Sequence, residues 1–77
     1  MSDVTKEQAK QWIRGVRNLF TAPRWYSAYN IKHRIEETFE EYCSTETAYD
    51  AAEDCGLRVK EDADGFKYIR LYAHDGY

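Results

Sequence analysis

Apolar residues recur at three- and four-residue intervals through Ala9, Trp12, Ile13, Val16, Leu19 and Phe20, the stripe of an amphipathic helix that stops before Pro23. Its start is marked as well. Thr5-Lys6-Glu7-Gln8 has the form of a capping box, in which the Thr5 hydroxyl accepts the Gln8 amide and the Gln8 side chain returns to the cap. Gly15 costs such a helix about 1 kcal/mol relative to Ala, which predicts a close backbone contact at that turn. Ser27 is a second cap, with Tyr26 and Ile31 at the spacing of a hydrophobic staple. The pattern predicts a second helix over about 28–42, with Ala28, Ile31, Ile35, Phe39 and Tyr42 facing inward. Ser44 or Thr45 caps a third, short helix, whose face of Ala48, Ala51, Ala52 and Cys55 implies tight packing on a neighbour. Gly56 ends it in the left-handed conformation, with Leu57 placed for the accompanying hydrophobic contact.

From Leu57 the period changes to two. Leu57 and Val59 alternate with Arg58 and Lys60, Asp62-Ala63-Asp64-Gly65 supplies turn chemistry, and Phe66 to Tyr72 returns as a second strand, so the segment is a β-hairpin. The fold class is α+β: three helices followed by a C-terminal hairpin, the order of a winged helix-turn-helix without its small first strand. Trp12, Ile13, Val16, Phe20, Ile31, Ile35, Phe39, Leu57, Val59 and Ile69 fall in phase and form the expected core. Residues 1–77 make a single domain, with 1–4 and 73–77 expected to fray. A chain this short buries only about 60% of the surface that it exposes when unfolded, so its stability is expected to be marginal.

Charge changes the picture more than composition does. Of 14 Asp and Glu residues, eight (Glu36, Glu37, Glu40, Glu41, Glu46, Asp50, Glu53 and Asp54) fall in the 19-residue stretch 36–54, which has no Lys or Arg. The remaining 58 residues carry 11 basic and six acidic side chains, so a net charge of −3 conceals a strong dipole. Segregation of this kind raises self-repulsion and calls for an internal counter-charge or an external partner. On the second helix the acids crowd the last turn, where the helix dipole opposes each by about 0.3–1 kcal/mol, and Glu36/Glu40 and Glu37/Glu41 repel one turn apart.

In a winged helix the third helix enters the major groove. Here Glu46, Asp50, Glu53 and Asp54 would meet phosphate charge, and that helix has no Arg, Lys, Asn or Gln to read base edges. The basic residues lie elsewhere: Lys6, Lys10, Arg14 and Arg17 at helical spacing on the first helix, and Arg58, Lys60, Lys67 and Arg70 on the hairpin. These eight are the contacts of an alternative reading, a winged-helix nucleic-acid-binding protein that uses the hairpin and helix 1. Catalysis is not expected, because the carboxylates project from exposed helix faces of a domain too small for much of a cleft. His33 and His74 are distant in sequence and lack ligand spacing, so neither a metal nor a cofactor is expected, and His33 is expected to pair with Glu37. Cys43 and Cys55 form no C-x-x-C and read as buried reduced thiols. No apolar run reaches the roughly 20 residues of a membrane span and no signal peptide is evident, so a soluble, cytoplasmic protein is expected, monomeric or a small homo-oligomer.

Residues 27–72, with Ser27, Tyr29, Ile31-Lys32-His33, Glu36, Tyr42, Ser44, Ala51, Gly56 and Tyr68, resemble a recurrent type of small phage- or prophage-encoded protein. Small acidic phage proteins of this size include anti-CRISPR and other host-takeover inhibitors, which act by binding a host nucleoprotein. The chain departs from the pattern where third-helix positions expected to be apolar are acidic. What the resemblance implies is an inhibitor in the host cytoplasm that presents the eight carboxylates to a basic, nucleic-acid-binding protein such as a CRISPR effector.

Overall fold

The computed structural model describes residues 2–76, and the chain runs α1 (Lys6–Arg17), β1 (Arg24–Ser27), α2 (Ala28–Phe39), α3 (Thr45–Asp54), β2 (Val59–Glu61) and β3 (Lys67–Leu71). The three strands form one antiparallel sheet in the order β1-β3-β2. Three helices and a C-terminal hairpin are present as expected. A further strand, β1, which the sequence pattern did not predict, lies between α1 and α2 and joins the sheet. Pro23 stops the chain from continuing as helix, and Trp25 and Tyr26 are residues that suit a pleated surface. The segment therefore pairs with β3, Arg24 opposite Leu71 and Ser27 opposite Tyr68.

The helix starts follow the sequence closely. Thr5 closes the capping box with Gln8 in both directions. Ser27 accepts the Asn30 amide at 3.1 Å, and Ser44 accepts the Thr47 amide at 3.0 Å. Ser27 is at once the last residue of β1 and the cap of α2, so strand passes into helix without a loop. At the other end of α3 the Leu57 amide reaches the Ala52 carbonyl and the Gly56 amide reaches Glu53, the paired bonds of a Schellman motif around Gly56 at φ +80°.

The end of α2 differs from expectation. Its apolar period continues to Tyr42, yet the helix stops at Phe39 because Glu40 adopts φ +55°, the one non-glycine residue at positive φ among the described residues. Tyr42 is thereby exposed instead of facing inward, and Glu40 and Glu41 leave the helix, so the expected like-charge pairs with Glu36 and Glu37 one turn back do not form on it. Gly15 likewise has no close neighbour: a Cβ built there would meet nothing within 4 Å. Leu19 lies beyond the last turn of α1 and is 78% exposed.

Ile13, Ile31, Ile35, Ile69 and Leu71 are almost completely buried, and Leu57 nearly so. Trp12, Val16, Phe20, Phe39 and Val59 pack against them as partly buried side chains. The Trp12 indole donates to Thr38 Oγ1 at 2.9 Å, which gives the polar end of a mostly apolar side chain its partner. On α3 the small face is fully buried, and α3 packs on both α1 and α2. The segments expected to fray carry bonds of their own. Val4 is buried and its amide donates to the Tyr42 carbonyl at 2.8 Å; Ala73 donates to the Phe20 carbonyl, and Arg17 to the Asp75 carbonyl. Met1 and Tyr77, the outermost parts of those segments, lie outside the described residues.

Candidate functional site

With Ala48, Ala51, Ala52 and Cys55 turned into the core, helical geometry leaves Glu46, Asp50, Glu53 and Asp54 on the outer side of α3. Each end of that row has a lysine from another element. Lys6 of α1 meets Asp54 at 2.7 Å, and Lys67 of β3 meets Glu46 at 3.5 Å. The hydrogen bond from Lys6 holds the Asp54 carboxyl below its ordinary range and raises the Lys6 ammonium in turn. Lys6, Asp54 and Glu46 are exposed and Lys67 is partly covered, so the value of these pairs lies in setting the local charge more than in stability.

Glu36 is a structural residue. Its carboxylate accepts the Cys43 amide at 3.1 Å, and Lys32 and His33 lie on the same group at 3.2 and 3.1 Å. The Cys43 amide is the main cause of its depressed pKa, with the Lys32 hydrogen bond and charge adding to it. His33 therefore pairs with Glu36 three residues on and not with Glu37. Glu41 accepts the Ser2 hydroxyl at 2.7 Å. The eight acids thus divide. Glu36, Glu41, Glu46 and Asp54 are engaged internally, whereas the carboxylates of Glu37, Glu40, Asp50 and Glu53 are exposed and make no hydrogen bond or ion pair among the described residues.

A hollow of about 350 Å³ opens beside the N-terminal end of this row, lined by Ser27, Tyr29, Thr45, Glu46, Gly65, Phe66 and Lys67. Tyr29 and Phe66 there are 58% and 64% exposed. No charge pattern in the sequence points to these rings, because the helix start and the hairpin turn that carry them are far apart in the chain. A second hollow, of about 290 Å³, has Trp12, Val16, Phe20, Tyr26 and Leu71 among its lining and lies away from the acids; Ile31, expected to staple Tyr26, lines it as well.

The eight basic residues of the alternative reading do not form one strip. Lys6 is paired with Asp54, and Lys10 lies against Glu7 at 3.4 Å. Arg17 is half-buried against the C-terminal segment, while Arg14 is exposed. Lys67 lies under α3, between Glu46 and the Tyr49 ring. Arg58, Lys60 and Arg70 are brought together on the opposite face of the sheet, beside Trp25, which the sequence reading did not single out.

Cys43 and Cys55 are free and buried, and burial is the main cause raising both thiols. Among the described residues no group of three or more His, Cys, Asp or Glu side chains is placed to hold a metal ion, and no helix is long and apolar enough to cross a membrane. No protein-family model matches the chain, and neither a curated protein nor a solved structure matches it significantly.

Proposed function

We propose that the chain is a non-catalytic protein-binding module, an inhibitor of the anti-CRISPR-like phage type, which presents the outer side of α3 and the α2–α3 turn to a basic nucleic-acid-binding protein. One observation carries the reading: Glu37, Glu40, Asp50 and Glu53 stay exposed and outside any ion pair among the described residues, although the fold pairs the carboxylates at both ends of α3 with lysines. Unpaired charge of one sign costs self-repulsion in the free protein and returns it as attraction when an oppositely charged surface arrives. The element order and the sheet order β1-β3-β2 support a winged-helix-like arrangement, in which α3 would be the helix offered to a nucleic acid. Here that helix offers carboxylates, so a protein that itself holds phosphates is the fitting partner. Exposed Tyr29 and Phe66 beside Glu46 supply the large apolar contacts from which interface affinity mostly comes, with the acids steering the approach.

The test is capture from a bacterial lysate, with and without nuclease, by the wild-type protein and by a variant carrying Asp50→Lys and Glu53→Lys. A basic protein retained after nuclease treatment by the wild type, and lost by the folded variant, supports the reading. Equal capture by both proteins overturns it.

A further inference from the structure

We propose that the outer face of the sheet is a second binding site, which takes single-stranded nucleic acid through base stacking on Trp25 and Tyr68 and phosphate contact by Arg58 and Lys60. Side chains alternate along a strand. Tyr26, Val59, Ile69 and Leu71 pack into or against the core, so Trp25, Lys60, Tyr68 and Arg70 stand on the side away from the helices. Register places them in rows. Trp25 is directly opposite Arg70, whose amide donates to the Arg58 carbonyl at 2.9 Å, and Tyr68 is directly opposite Lys60. The β2–β3 hairpin and the sequence-distant β1 thereby build one face on which rings and cations interleave.

The contacts on this face show how it is held. Lys60 reaches across β3 to place its ammonium 4.2 Å from the centre of the Trp25 ring and 5.6 Å from that of Tyr68. Arg70 lies 5.7 Å from the Tyr72 ring and is clamped by Asp75 at 2.7 Å. The Tyr68 hydroxyl donates to Asp62 at 3.3 Å. Three carboxylates therefore adjoin the face: Asp75 compensates Arg70, Asp62 fixes the end of Tyr68, and Asp64 lies near enough for its charge to act on the same phenol. Arg58 and Lys60 have no carboxylate partner among the described residues, and both are exposed. Trp25 is 42% exposed, with Lys60 as the lid of its ring.

Single strands fit these features and duplexes do not. A chain of net charge −3 has no general attraction for a polyanion, so backbone contact with two free cations holds a duplex poorly. An unpaired base adds what charge alone lacks. Stacking on an aromatic side chain is worth about 5- to 150-fold in affinity per base, and it tolerates sequence because every base has a flat face. In the bound state Lys60 swings from the Trp25 ring to a phosphate and the base takes its place, so one exposed cation-π contact is exchanged for a stack and a charge-assisted bond. The site is independent of the acidic side of α3.

The experiment is fluorescence anisotropy of the whole protein at low salt with labelled oligo(dT) and oligo(U) of about a dozen residues, the same DNA as a duplex, and a polyglutamate of matched charge. Both single strands should bind, and the duplex and the polyglutamate should bind at least about tenfold more weakly. Trp25→Ala should lower single-strand affinity about tenfold and Trp25→Phe by much less, because a ring is retained. Lys60→Gln should reduce the slope of log affinity against log salt by about 0.7, the value of one phosphate contact on a single strand. The single strands distinguish DNA from RNA as the source. Polyglutamate binding as tightly as oligo(dT), full affinity in a folded Trp25→Ala protein, or no single-strand binding at low salt would each overturn the proposal.

Discussion

The Glu36 carboxylate accepts the amide of Cys43, seven residues further on, at 3.1 Å, and so ties the last turn of α2 to the entrance of α3. A residue that sequence alone counts among interface acids is a brace for the turn. Glu36→Ala should therefore lower the melting midpoint clearly more than Glu37→Ala, since Glu37 has no partner among the described residues. Equal shifts in paired thermal melts would show that the brace contributes nothing.

The same bond sets a pH dependence. Glu36 and Asp54 both titrate below their ordinary values of 4.5 and 3.8, Glu36 chiefly through the Cys43 amide and Asp54 chiefly through Lys6. A depressed carboxyl contributes stability that is present above its unfolded pKa and is lost as pH falls through the folded one. Lys6, raised above 10.5, contributes stability that is present below its unfolded pKa and is lost as pH rises through the folded value. Melts should hold a plateau through neutral pH and then fall on both sides. Glu36→Gln and Asp54→Asn should blunt the acid limb, and Lys6→Gln the alkaline one, so unaltered limbs in all three variants count against these contacts.

Glu40 and Gly56 share a left-handed backbone and differ in side chain, with φ +55° and +80°. A Cβ is disfavoured in that conformation, so Glu40→Gly should stabilise and Gly56→Ala destabilise, by about 0.5–1 and 1–2 kcal/mol. Urea denaturation of the two variants measures both signs at once. Two shifts in the same direction would contradict the turn geometry.

Ile13 and Leu19 belong to one apolar stripe in the sequence, and the fold separates them. Ile13 is fully buried and Leu19 is 78% exposed. Ile13→Ala should cost about 2–5 kcal/mol, while Leu19→Ala should stay within about 0.5 kcal/mol of wild type. Chemical denaturation decides between them.

On α3 the acids of the proposed interface can be separated from the fold. Reversing Asp50 and Glu53 places positive charge in the second half of a helix whose dipole favours it there, so the variant should melt no lower than wild type. Its association rate with a basic partner should nevertheless fall, and the wild-type rate should fall as salt rises, because attraction between exposed charges is screened over about 8 Å at physiological ionic strength. Stopped-flow or surface-binding kinetics beside melts would show the two effects moving apart. An unchanged association rate would leave the acids as a solvated face.

Caps and turns were legible because each is a local contract between neighbouring residues: Thr5 with Gln8, Ser27 with Asn30, Ser44 with Thr47, and Gly56 with the end of α3. What escaped the sequence depends on partners distant along the chain. β1 is four residues that pair only with β3, more than 40 positions on, and its Trp25 stands out only once Arg70 and Lys60 are beside it. The end of α2 was hidden because Phe39 and Tyr42 keep the helical period through a turn made by Glu40, a residue type that does not announce positive φ. The acidic stretch was plain as a run of charge. Its division into braced, neutralised and free members was not, because Lys6 and Lys67 reach it from α1 and β3.

The two buried thiols sit at different helix ends, Cys43 just past the α2 turn and Cys55 at the cap of α3. A thiolate-seeking reagent reaches neither while the fold is closed, since burial both blocks access and disfavours the anion. Each cysteine is therefore a clock for its own helix end. If the two are modified at one common rate that tracks global unfolding, the whole chain opens as a single cooperative unit; if Cys43 reacts first, the turn beside it breathes independently of the rest.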